Sequence, residues 1–82
     1  MSRRDLGMDP QVARLICQTA ARDECLKPAT RQAIVRFLTV AGDGLCCQFA
    51  AKLDEFRRSS STCDSRIAHT VERLYRRALE PS

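Results

Sequence analysis

Seven apolar residues, Ile34, Leu38, Ala41, Leu45, Phe49, Leu53 and Phe56, recur at steps of four, three, four, four, four and three. That is the rhythm of one face of an α-helix. Gly42-Asp43-Gly44 lies inside the series. Each glycine in a helix interior costs roughly 1 kcal/mol relative to alanine, and an aspartate is a good helix N-cap. The two signals pull in opposite directions. A loop normally resets the apolar phase, whereas here the phase runs straight across the glycines. The pattern therefore predicts one long helix from about Pro28 to Arg58, bent or loosened at Gly42 and Gly44. The alternative is a break there into two shorter helices.

The flanks are simpler. Asp9-Pro10 is a strong helix start, with Asp9 as N-cap and Pro10 in the first turn. Val12, Leu15, Ile16 and Thr19/Ala20 follow at helical spacing, which predicts a first helix to about Glu24 with these residues inward. Pro28 restricts Lys27 and opens the next helix after a short loop. Arg57 to Thr62 reads as a polar, basic loop, in which Ser61 with Asp64, or Thr62 alone, caps a final helix. Ile67, Val71, Leu74, Ala78 and Leu79 make that helix's inward stripe, Arg66, Arg73, Arg76 and Arg77 lie off it, and Pro81 stops it.

No segment alternates with the two-residue period of a strand, and no repeat is present. The expected architecture is all-α: a medium helix, a long central helix and a medium helix. These form one domain over 9–80 behind a flexible segment at 1–8. A small four-helix bundle broken at Gly42–Gly44 is the alternative.

With 82 residues the chain makes one domain. A domain of this size buries only about 60% of the surface its unfolded chain exposes, so a partner adds useful stability. Fourteen Lys and Arg against ten Asp and Glu leave a net charge of +4, and twelve of the basic residues are arginine. A planar guanidinium suits phosphate and carboxylate alike, so the excess permits a nucleic-acid role and equally describes a solvated surface. Three Phe and one Tyr are too few to build a base-stacking platform.

Five cysteines, Cys17, Cys25, Cys46, Cys47 and Cys63, have irregular spacing and no Cys-x-x-Cys pair. Reduced intracellular thiols fit this pattern better than disulfides or a zinc site. Cys46 and Cys47 point in different directions on a helix, which predicts one buried thiol and one half-exposed. The charged start of the chain, Ser2-Arg3-Arg4-Asp5, has no apolar stretch behind it, and no run approaches the ~18 apolar residues of a membrane span.

No catalytic constellation is visible. His69 has no cysteine near it on its helix face, Asp54 and Glu55 are neighbours that do not face each other, and Ala41-Gly42-Asp43-Gly44 lacks the rest of a phosphate loop. The expectation is a binding protein, not an enzyme, with no cofactor, metal or small-molecule substrate.

Within the expected helix–long helix–helix plan, Cys46 to Phe56 resembles the central helix of the centromere protein S family of histone-fold proteins. That family's Phe-Ala-x-x-Leu-x-x-Phe pattern is matched by Phe49, Ala50, Leu53 and Phe56, and Val35, Leu38 and Ala41 fall where it has apolar residues. The resemblance implies a nuclear heterodimer with a second histone-fold chain, in a chromatin, kinetochore or DNA-repair assembly. Leu38, Leu45, Phe49, Leu53, Phe56, Val71 and Leu74 would then form the partner interface. Lys27 and Arg31 at the first loop, with Arg57, Arg58, Ser60 and Thr62 at the second, would meet phosphates of double-stranded DNA. Contacts of that kind are sequence-independent and weaken sharply with salt. The residues alone leave a second function open: a helical adaptor that docks into a larger protein complex without touching nucleic acid.

Overall fold

Four α-helices run in the order Pro10–Ala20 (α1), Pro28–Val40 (α2), Asp43–Arg58 (α3) and Asp64–Leu79 (α4), with no strand among the described residues. The computed structural model describes residues 8–59 and 64–80. The expected flexible segment up to residue 7, the loop residues Ser60 and Thr62, and the expected stop at Pro81 lie outside them.

Local signals start the helices. Asp9 is extended, and its side chain accepts the Gln11 N–H at 3.3 Å, while Pro10 occupies the first turn as expected. Pro28 opens α2 in the same way, but Lys27 before it supplies no side-chain cap. α1 stops at Ala20, short of Glu24, and turns at 21–26 carry the chain to α2.

The long central helix does not form. Ala41 (φ −78°, ψ 140°) and Gly42 (φ −83°, ψ 178°) are extended, and α3 begins anew at Asp43. The negative φ at Gly42 is open to any residue, and a Cβ at Gly42 or Gly44 would meet nothing. Glycine's conformational freedom therefore does not make the turn.

What the turn gains is core. In a continuous helix, positions 37 and 49 would lie about 18 Å apart along the axis. After the turn the Phe37 and Phe49 rings meet edge to face, with centroids 5.3 Å apart and planes at 74°. An offset or T-shaped pair of this kind adds about 0.5–1.5 kcal/mol beyond burial. The chain thus closes its core by folding back on itself.

The core is built between helices that are not sequence neighbours. α1 packs mainly on α3, and α2 mainly on α4. Phe37, Phe49, Ile34, Val71, Cys17 and Cys46 are the largest fully buried side chains. Burying each apolar side chain of the Val, Leu or Phe class contributes about 1.5–3 kcal/mol. Ala13, Ala20 and Ala50 are buried as well, and these small side chains let α1 approach α3 closely.

Two expected stripes are shifted. On α1 the buried positions are Ala13, Cys17 and Ala20, while Val12 and Leu15 face solvent and Ile16 is partly covered. On α2 the buried positions are Thr30, Ile34 and Phe37, and Leu38 lies at the margin. On α4 Ile67, Val71 and Leu74 are buried as expected, joined by Thr70, whereas Leu79 is 55% exposed.

Candidate functional site

Six residues were candidates for meeting DNA. Lys27 is exposed at the start of α2, and its backbone N–H donates to Asp64 Oδ1 at 2.9 Å. Asp64 Oδ2 accepts the Thr30 hydroxyl at 3.1 Å. The start of α2 is thereby tied to the start of α4, and a carboxylate stands at the position where a phosphate was expected. Arg57 and Arg58 are exposed in the last turn of α3, where positive charge complements the helix dipole, and Arg58 pairs with Asp54 at 3.1 Å. Ser60 and Thr62 are outside the described residues. Arg31 sits one turn into α2, on a different feature described below.

The seven expected interface residues are occupied by their own chain. Phe49, Leu53, Val71 and Leu74 are buried, and Leu38, Leu45 and Phe56 are partly buried against the same core. Of the seven, Leu38 also borders the groove described below.

The thiols are quiet. Cys46 is buried and Cys47 half-buried, as the spacing predicts. Burial, reinforced by Cys46, pushes the Cys17 thiol from 9.0 up to about 12, and burial also raises Cys46. Cys17 donates weakly to the Cys46 carbonyl at 3.8 Å. Both stay protonated at neutral pH, so neither supplies a thiolate nucleophile. His69 is exposed on α4.

What remains is the outer face of α1 and α2. Arg14 fixes this pair: its Nη1 donates to the Leu38 carbonyl at 3.2 Å and its Nη2 to the Ala41 carbonyl at 2.7 Å. These are orphan carbonyls at the end of α2, and a cation there also meets the negative pole of the helix. The start of α1 therefore lies beside the end of α2, so the two helices are antiparallel. The guanidinium also lies 3.8 Å from Asp43, the first residue of α3.

A shallow groove runs between the two helices. One depression is lined by Ala21, Pro28, Arg31, Gln32 and Val35. It shares Ala21 and Val35 with a second, which adds Gln18, Arg22, Leu38 and Thr39. Arg14 and Gln18 connect that one to a third, at Val12 and Leu15. Val35 in the groove is 50% exposed, and on the adjoining outer face of α1 Leu15 is 61% and Val12 47% exposed.

Charge in the groove is one-sided: Arg22 and Arg31 line it with no carboxylate among its lining residues, while Arg14 is already engaged by Leu38, Ala41 and Asp43. Arg31 Nε is enclosed and meets no acceptor among the described residues. The groove holds no set of nucleophile and base; its chemistry is apolar contact with guanidinium donors along it. The spacing rule had turned Val12 and Leu15 inward. The signal that places them outside is the run of small residues Ala13, Cys17 and Ala20 on the opposite face.

Comparison of the chain with known protein families, with curated proteins and with solved structures finds no match.

Proposed function

We propose that the chain is a non-catalytic helical adaptor, which docks into a larger protein assembly through the groove between α1 and α2. One observation carries this reading: Val35 and the edge of Leu38 line an open groove between α1 and α2, and Leu15 stands exposed on the adjoining outer face of α1, in a domain whose own core is already closed. Isolated exposed apolar residues are ordinary, but a row of them lining a groove between two helices is the usual form of a helix-docking surface. Docking through side chains that the fold does not need lets the domain exist both alone and bound.

A DNA-binding pair was the other function open from the sequence. It required a continuous central helix, setting the first loop of one chain beside the second loop of its partner. The turn at Ala41-Gly42 removes that premise, and the carboxylate of Asp64 at Lys27 works against a phosphate there.

The test is hydrodynamic. The tagged chain, expressed in its own cells, is expected to migrate in an assembly well above its 9.2 kDa monomer. Leu15→Glu with Val35→Glu is expected to release it as a monomer with unchanged helical circular dichroism. Comigration that ignores these two residues would sink the adaptor reading. Salt-sensitive retention on duplex DNA, lost with Arg57→Ala and Arg58→Ala, would reinstate the rival.

A further inference from the structure

Resting on the adaptor reading, we infer that the occupant of the α1–α2 groove is an acidic amphipathic helix of a partner protein. Two antiparallel helices present a long, shallow channel, and the element that fills such a channel is a third helix packed along it. Its apolar positions, at i, i+3/i+4 and i+7, meet Val35 and the exposed edge of Leu38 in the channel and Leu15 on the adjoining face of α1. Its flanking carboxylates meet Arg22 and Arg31, whose planar guanidinium groups match a carboxylate with two parallel donors.

Arg22 and Arg31 carry the charge complementarity, lining the groove with no carboxylate among its lining residues. The same charges oppose a second copy docked groove to groove, which would set Arg22 and Arg31 against their own equivalents. The first seven residues carry Arg3 and Arg4 against Asp5, the same sign as the groove, and Ser60 to Cys63 carry no charge.

The test uses the full, isotope-labelled chain and two synthetic peptides of about 14 residues, long enough to span the groove as helices. Both carry leucine at i, i+3, i+4 and i+7; one has glutamate at the flanking positions and the other lysine. The glutamate peptide is expected to shift the amides of Leu15, Gln18, Arg22, Arg31 and Val35 saturably. The lysine peptide is expected to bind at least about tenfold more weakly.

Arg22→Glu with Arg31→Gln should abolish that preference. Arg57→Glu with Arg58→Gln, the same change in net charge elsewhere, should leave it intact, and this second variant separates a local effect from loss of overall charge. Equal binding of the two peptides, no binding of either, or shifts confined to other faces overturns the inference. Groove shifts that grow with chain concentration alone overturn it in favour of a second copy. If comigration in cells still depends on Leu15 and Val35 while the glutamate peptide shows no preference, the adaptor survives and its acidic partner does not.

Discussion

Asp64 and Lys27, 37 residues apart in the chain, meet just before the start of α2, a helix to which neither of them belongs. The Asp64 carboxylate accepts the Lys27 backbone N–H at 2.9 Å and the Thr30 hydroxyl at 3.1 Å. Within a single helix, a capping box links the N-cap N–H to a side chain three residues on. Here the carboxylate comes from the first turn of α4 and completes the cap of α2 from outside. The same negative charge favours the positive poles of both helices.

Removing that carboxylate should therefore loosen two helices at once. Asp64→Ala is expected to lower unfolding free energy by about 1–3 kcal/mol, the cost of leaving the Lys27 N–H and Thr30 hydroxyl without their charged acceptor. Thr30→Val, which removes only the second bond, should cost less. Urea unfolding followed by circular dichroism measures both, and equal losses would show that the Lys27 bond contributes nothing.

Arg14 does at the end of α2 what Asp64 does at its start. Arg14→Ala should destabilise by about 1–2 kcal/mol, since two α2 carbonyls lose a charged donor in a partly exposed setting. Arg14→Lys should restore only part of this, because an ammonium does not present the same planar fork. Full rescue by lysine would reduce the role of Arg14 to simple charge.

Gly44 is helical, in the first turn of α3, with open space where a Cβ would stand. Gly44→Ala should stabilise the fold by about 0.5–1 kcal/mol through the restricted unfolded chain. A loss of stability on thermal or urea unfolding would mean that the turn at Ala41-Gly42 needs the glycine after all.

The Cys17 thiol gives the stability curve an alkaline slope. In the unfolded chain it ionises near 9.0, whereas burial holds it protonated in the folded chain up to about 12. Below pH 9 both states carry the proton and this thiol adds no pH dependence. Between 9 and 12 the unfolded state binds fewer protons, so stability should fall by up to roughly 1.4 kcal/mol per pH unit. Cys17→Ala should flatten the slope over that window, and an unchanged slope would assign the loss to other groups. At pH 8 a thiol reagent should modify exposed Cys25 rapidly and reach Cys17 and Cys46 only through unfolding.

All-helical character and the two proline-led starts were legible because the signals are local: Asp9 caps within two residues, and Pro10 and Pro28 fix their own φ. The division between Cys46 and Cys47 was legible for the same reason. The choice between a long helix and a break at Gly42–Gly44 was not legible, because Leu38 and Phe37 compete for the same core stripe. Either choice fits a helical stripe, and only the Phe37–Phe49 contact across the turn decides between them. With Leu38 chosen, the apolar phase ran unbroken into α3.

On α1, ranking residues by hydrophobicity favoured Val12 and Leu15 over Ala13, Cys17 and Ala20. Close approach of α1 to α3 rewards small side chains instead, and that preference turned the docking face inside out. The contacts of Arg14 and Asp64 with α2 gave no signal, since each acts on a helix far away in sequence.

The pairing of α1 with α3 and of α2 with α4 means that the exposed turn at Gly42 divides the chain without dividing its core. Cut there, the chain would yield two complementary fragments, each holding one member of both main packing pairs and neither able to bury its apolar face. Each half would act as the missing template of the other. Mixing them should regenerate the helical bundle, and reassembly at this seam would report the proximity of whatever the two halves were attached to.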